Sequence, residues 1–134
     1  MSAKTIAVGK KVPAFSGAAT NNRTIKLKDF SGMKLVLYFY PRDATPGCTT
    51  ESQDFRDQYK AFQKAGTEVI GVSQDSLKSH EKFQTKQSLP FDLISDEDGE
   101  LCRIFDVLKM KNMYGKQFEG IERSTFLIDA SGKL

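Results

Sequence analysis

The chain has 134 residues, about the size of one domain, and 20 basic against 17 acidic side chains leave a net charge of +3. Its lysines are scattered rather than gathered in a stripe with interleaved aromatics, which argues against nucleic acid, and its longest uncharged apolar run, Leu35 to Pro41, is far short of the ~20 residues a membrane span needs. Two cysteines, Cys48 and Cys102, lie too far apart for a C-x-x-C pair and are too few for a disulfide scaffold or zinc cluster, so a reducing cytoplasm with free thiols is the expected setting.

The N-terminus carries no unbroken apolar stretch of the kind that marks a secretory signal. From Val12 to Ser31 the chain shows turn signals at Ser16-Gly17 and Asn21-Asn22, and Thr24 to Leu27 alternates like a short edge strand. Lys34 to Tyr40 is apolar on both alternating sets, which predicts a strand covered on two faces. Pro41 cannot donate to a ladder, so the segment to Gly47 is a loop. A helix follows, with Thr45 as N-cap, Pro46 in the first position, and Phe55, Tyr59 and Phe62 at helical spacing before a stop at Gly66.

Thr67 to Ser73 reads as a second strand, and Ser76 to Gln87 as a helix ended by Pro90. Phe91 to Ile94 is a short strand, and Asp96-Glu-Asp98 caps a short helix bearing Leu101, Ile104 and Phe105. Gly115 to Gly120 reads as a hairpin-like connection and Ser124 to Asp129 as a last strand. Strands alternating with helices predict one α/β domain over residues 1–134, with helices on both faces of the sheet. The chain then stops as a turn delivers it into a new strand. The reading is of a domain lacking a C-terminal strand and helix, or one that tolerates an exposed sheet face.

Cys48 is the residue best placed for chemistry. It lies in the first turn of the helix that starts near Thr45, where unpaired N–H groups and the positive end of the dipole favour a thiolate. It also follows a loop at the C-terminal end of an inner strand, where open α/β sheets place ligands. A free cysteine is commonly a small buried hydrophobe, but the tight, polar Pro-Arg-Asp-Ala-Thr-Pro-Gly loop does not suit an inert core position. His80, the sole histidine, sits mid-helix between Ser79 and Glu81 and reads as a solvated face residue. Arg42 and Asp43 read as loop charges with no chemical role.

Pro41-Arg-Asp-Ala-Thr45-Pro-Gly-Cys48 resembles the P-x-x-x-T-x-x-C signature of the peroxiredoxins. Val36-Leu-Tyr-Phe-Tyr-Pro41, Lys111-Asn-Met-Tyr-Gly-Lys116 and Arg123-Ser-Thr-Phe-Leu-Ile-Asp129 are similar to the PrxQ, or bacterioferritin comigratory protein, subfamily, in the same order along the chain from about Val12 onward. The resemblance implies a thioredoxin-like fold with a central mixed sheet. It also implies a thiol-dependent peroxidase that reduces hydrogen peroxide and organic hydroperoxides without metal or other cofactor. Cys48 would be the peroxidatic thiolate, Thr45 would hydrogen-bond the peroxide, and Pro41 would shield the sulfur from water. Arg123 would stabilise charge on the sulfur and on the leaving oxygen, and Glu51 would position the arginine. Taken alone, these residues could instead be a helix cap, a strand stop, a solvated strand-end charge and a first-turn acid complementing the dipole.

The departure from that pattern is the resolving cysteine. Where many PrxQ proteins carry it, this chain has Gln53, and the helix containing Gln84 has no cysteine. Cys102 is a weak candidate, because Leu101, Ile104 and Phe105 suggest that its helix faces the core. The sulfenic acid would then be reduced by an external thiol: thioredoxin, glutaredoxin or a small thiol. A monomer is expected. Two rival readings stand beside this one: a thiol–disulfide oxidoreductase on the same fold, disfavoured by the missing C-x-x-C, and an idle, holdase-like domain with an incomplete sheet.

Overall fold

Apolar side chains on both faces of one short segment make it an inner strand, and Lys34–Phe39 (β3) is that strand. The computed structural model describes residues 6–134, the side chain of Met113 excepted; residues 1–5, where the reading for a secretory signal begins, lie outside it. β3 pairs in parallel with β4 (Thr67–Ser73), and β4 in parallel with β5 (Leu93–Ser95). On one side β5 is continued by an antiparallel hairpin, β1 (Ser16–Ala19) and β2 (Arg23–Lys26). On the other, β8 (Ser124–Ile128) runs antiparallel to β3. The six-stranded mixed sheet has the order β2-β1-β5-β4-β3-β8. The Ser16-Gly17 turn reading is corrected here: both residues lie inside β1, because strands on either side supply partners to a segment whose small residues offer little strand propensity. β2 starts and stops one residue earlier than expected, and Leu27 opens a 3₁₀ turn, Leu27–Phe30.

Two apolar layers enclose the sheet. Leu35, Leu37 and Phe39 of β3 bury with Ile70 and Val72 of β4 against α4 (Glu100–Ile104), through Leu101, Cys102 and the following Phe105. Val36, Tyr38 and Tyr40 point the other way, toward α1 (Pro46–Asp57), α2 (Tyr59–Lys64) and α3 (Leu77–Gln87). Each fully buried aliphatic or aromatic side chain contributes about 1.5–3 kcal/mol to holding these layers together. The long helix expected from Pro46 to Gly66 is two helices, broken at Gln58, yet Phe55, Tyr59 and Phe62 still present one apolar stripe to the sheet. α3 begins at Leu77 with Ser76 as N-cap, whose Oγ accepts from Ser79 N–H, and ends at Ser88 in the left-handed conformation (φ 53°), before Pro90 is reached.

The expected connection from Gly115 to Gly120 is instead part of a second, two-stranded sheet. β6 (Leu108–Met113) and β7 (Lys116–Ile121) pair antiparallel around Tyr114 and Gly115, both with positive φ (54° and 77°). That pair of torsions suits the right-handed twist of a tight hairpin. The hairpin returns the chain to the start of β8. Among the described residues, no helix is long and apolar enough to cross a membrane.

Candidate active site

Three features bring the site together: where β3 ends, how the following loop turns, and where β8 begins. The backbone N–H of Tyr40 still donates to the carbonyl of Val72 (3.1 Å), but Pro41 has no N–H and the chain leaves the sheet. The loop then turns at Ala44, which takes a left-handed φ of 63°. Thr45 stands at the N-cap position with an extended backbone and Pro46 opens α1, but the Thr45 hydroxyl does not cap the helix. It donates to the carbonyl of Arg42 at 3.0 Å, closing the loop on itself. The expected side-chain cap is thus corrected: the shorter path to a carbonyl within the turn takes the proton.

Cys48 is the third residue of α1 and only 1% exposed. The antiparallel register pairs Phe39 with Ser124, so the residue ahead of β8 emerges beside the point where β3 gives way to the loop. That residue is Arg123. Its Nη2 donates to Cys48 Sγ at 3.2 Å and its Nη1 to Glu51 Oε1 at 2.6 Å. One planar guanidinium therefore spans the thiol and the carboxylate one turn further along α1. The guanidinium crosses directly over Gly47, where a Cβ would stand 3.2 Å from Nη2. A larger side chain there would crowd the guanidinium.

The electrostatics follow from partial burial. Desolvation raises the pKa of Glu51 above its ordinary value, although its bonds to Arg123 pull the other way. Burial favours loss of the Arg123 proton, but the bonds to Cys48 and Glu51 outweigh it and raise the pKa. Behind Cys48, Tyr38 OH shares a buried hydrogen bond with Ser52 Oγ (2.9 Å), tying α1 to β3. Pro41 and Arg42 are exposed.

Cys102 is elsewhere. It is fully buried in the layer on the opposite face of the sheet from Cys48. Asp96 caps α4 by accepting from the N–H groups of Leu101 (3.0 Å) and Cys102 (2.9 Å), and burial together with that carboxylate pushes the Cys102 pKa far up. Both cysteines are free. Gln53 and Gln84 have structural work instead. Gln53 Nε2 donates to Gln87 Oε1 at 2.8 Å, joining α1 to α3, and Gln84 Nε2 donates to the Phe91 carbonyl at 2.8 Å.

Two readings fail at this site. His80 is not solvated: it is completely buried. Asp43 is not an idle loop charge: it is 6% exposed and accepts from Tyr40 OH at 2.7 Å, His80 Nδ1 at 2.8 Å and Ser79 Oγ at 2.8 Å. The reason is mutual. Each group can leave water because the other satisfies it. The signal was present in the helical spacing, since Leu77, His80 and Phe83 share the inner face of α3. Asp75 joins them, accepting from the Asp43 N–H at 2.8 Å and from Ser73 Oγ at 2.6 Å. The ligating atoms of Asp43, Asp75 and His80 lie within 4.8 Å of one another. Each side chain is already engaged in hydrogen bonds, so the cluster fits a loop clamp better than a metal cradle.

The AhpC/TSA family model matches residues 8–134. Peroxiredoxin Bcp of Bacillus subtilis is 49% identical over 130 residues, covering 97% of this chain and 83% of that protein. Peroxiredoxin Bcp of Xanthomonas campestris is 56% identical over 108 residues, covering 81% of this chain and 68% of that protein. A solved structure of the Xanthomonas campestris bacterioferritin comigratory protein, described for its alkyl peroxide reduction activity, is similar with a TM-score of 0.88 and 47% identity. It covers 95% of this chain and 83% of that chain.

Proposed function

Since the chain belongs to the AhpC/TSA family and is a peroxiredoxin, a peroxidase that draws its electrons from thiols, we propose that Cys48 is its peroxidatic residue and that Arg123, Thr45, Pro41 and Glu51 complete the site. The observation that carries the assignment is the contact of Arg123 Nη2 with a buried Cys48 Sγ in the first turn of α1. The sulfur sits in the first turn of α1 with a guanidinium against it, a setting that stabilises negative charge.

In this reading the Cys48 thiolate attacks the terminal oxygen of a hydroperoxide in line with the O–O bond. The S–O bond forms as the O–O bond breaks, the sulfur becomes a sulfenic acid, and the leaving oxygen takes a proton to depart as water or an alcohol. Arg123, already oriented by Glu51, stabilises the charge moving from sulfur to the leaving oxygen. The Thr45 proton is committed to the Arg42 carbonyl, so its oxygen is left to accept a hydrogen bond from the peroxide O–H. Pro41 contributes a solvent-facing surface with no N–H to recruit water to the sulfur.

Two equivalents of an external thiol then return the sulfenic acid to the thiol, releasing water and a disulfide. The sheet between Cys48 and Cys102 supports an outside reductant over an internal resolver. Thioredoxin, glutaredoxin or a small thiol fits this step. We place the enzyme in the cytoplasm as a monomer made of one domain. The deciding experiment is peroxide-dependent consumption of a coupled thiol by the parent and by Cys48→Ser, with intact mass measured in the presence of a sulfenic-acid trap. Loss of turnover in the variant and one trap adduct on parental Cys48 are expected. Equal turnover would refute the assignment.

A further inference from the structure

His80 touches neither sulfur nor guanidinium, yet it lies at the centre of the bonds that shape the loop between β3 and α1. Its Nδ1 faces Asp43 Oδ2 at 2.8 Å, and its Nε2 faces the Ile94 carbonyl oxygen, in β5, at 2.9 Å. An ionised carboxylate and a carbonyl can only accept. Ser73 Oγ, 3.4 Å from Nε2, spends its proton on Asp75 Oδ2 at 2.6 Å, so a neutral imidazole, donating from one nitrogen, would turn its other lone pair on an oxygen lone pair in a site closed to water. We propose that His80 is a positioning residue for peroxide reduction, which, with a proton on each ring nitrogen, ties Asp43 to the backbone of β5 and so holds Thr45 and Cys48 in reactive register. The proposal rests on the assignment of Cys48 as the peroxidatic residue.

The loop has little other restraint. Asp43 is gripped by its carboxylate (Tyr40, Ser79, His80) and by its N–H (Asp75). Directly after it, Ala44 takes a left-handed conformation; the Thr45 hydroxyl is fastened to Arg42 within the same turn, and the Thr45 carbonyl accepts from the Thr49 N–H at 2.8 Å, which couples the turn to α1. Release of Asp43 would therefore let the whole turn relax, moving Thr45 and the first turn of α1 together. The charges around the ring are consistent with an imidazolium. Asp43 and Asp75 face it from the loop and from the β4–α3 connection. Tyr40 OH, 3.4 Å from Nδ1, keeps its proton because burial and the nearby anions raise its pKa.

A mere core filler and a positioning residue differ in what they change. Peroxide reduction needs the substrate aligned between Thr45, Arg123 and the sulfur, whereas alkylation by iodoacetamide needs only an accessible, nucleophilic sulfur. Misplacement by about 1 Å typically costs on the order of 10²-fold in an aligned reaction. His80→Gln keeps one donor of two. It should slow the reaction of Cys48 with hydrogen peroxide by about tenfold or more, with a much smaller change in alkylation. Asp43→Asn should show the same split, and the double variant should be no slower than either single one. Equal loss in both reactions, or an unchanged peroxide rate in folded His80→Gln, overturns the proposal.

If His80→Gln does not fold, Ser79→Ala removes one donor to Asp43 from a half-buried helix position and should show the split on a smaller scale; no split overturns the proposal. Nitrogen NMR of the parent's single histidine gives a direct reading: two protonated ring nitrogens are expected, and one bare nitrogen overturns the proposal. Cys48→Ser separates the two claims. If it still consumes peroxide, the peroxidatic assignment fails, and the ring-nitrogen spectrum alone decides how His80 is held.

Discussion

Arg123→Lys tests whether the guanidinium acts as a fork rather than as a positive charge. In the parent, two nitrogens of one planar group hold Cys48 Sγ at 3.2 Å and Glu51 Oε1 at 2.6 Å. A lysine keeps the charge but not the geometry that serves two acceptors from a preset plane. Its ammonium should settle on the carboxylate, the stronger acceptor, and leave the sulfur. Losing one preorganised donor to a developing oxyanion costs about 10²–10³ in rate, or roughly 2.7–4 kcal/mol. The Arg123 side chain is 40% exposed, so water screens part of the effect and the lower end applies. A rate loss of about a hundredfold is expected for Arg123→Lys, and no less for Arg123→Ala. Stopped-flow measurement of peroxide consumption under single-turnover conditions reads this step without the reductant. Parental speed in Arg123→Lys would refute the fork; parental speed in Arg123→Ala would remove Arg123 from the mechanism.

Glu51→Gln should lower activity without lowering stability at neutral pH. The folded state raises the Glu51 pKa through burial, so Glu51 favours folding at low pH and that contribution is lost as pH rises through its folded value. Thermal melts across pH should show the parent losing ground to Glu51→Gln as pH increases, and parallel curves would contradict this. Thr45→Val should slow peroxide reduction by about tenfold, the worth of one good hydrogen bond, and Thr45→Ser should recover most of that loss. A valine variant as fast as the parent would leave Thr45 as a loop tie. Cys102→Ser should keep the parental rate with an external dithiol, and excess peroxide should carry Cys48 to sulfinic and sulfonic acids because no second thiol intercepts it. A dominant Cys48–Cys102 crosslink in a non-reducing peptide map would overturn that. Asp92→Ala should cost about 1–3 kcal/mol in denaturant unfolding by orphaning Thr20, a donor buried against it, and a neutral result would mean that water replaces the carboxylate.

The parts of the site readable from the chain were those written in a local motif. Pro41, Thr45 and Cys48 share one turn, and their spacing encodes both the loop and the helix start. Arg123, Glu51 and the positioning of one by the other were legible only through the family resemblance, since the contact depends on β8 pairing with β3 in one register. Asp43 and His80 were misread because charged and polar types are ordinarily solvent-facing. The burial of Asp43 depends on a partner 37 positions away that its own loop does not signal, whereas His80 is marked only by its spacing with Leu77 and Phe83. β1 was hidden by Ser16, Gly17 and Ala18, which make a strand only between two ready partners. In β6 and β7 most of the described side chains face solvent on both surfaces, so the alternation that reveals a half-buried strand was absent.

The two cysteines sit in opposite electrostatic settings, which fits the proposed peroxidatic role of Cys48 and a packing role for Cys102. Both are buried to within 1% of completely, so burial does not separate them. Their nearest charges do. Cys48 has a guanidinium against its sulfur, while Cys102 has the carboxylate of Asp96, which caps its helix and raises its pKa further. Each helix start thus carries a countercharge suited to a different end. At α4 the carboxylate satisfies the orphan amides and keeps the thiol neutral within an apolar layer. At α1 no side chain caps the helix, since the Thr45 proton goes to the loop. No side chain competes there for the first-turn amides, and the Arg123 guanidinium is shared between Cys48 Sγ and Glu51. In the proposed mechanism the start of α1 is thus left without a side-chain cap, and the loop before it is held by other means, which is the work assigned to Asp43 and His80.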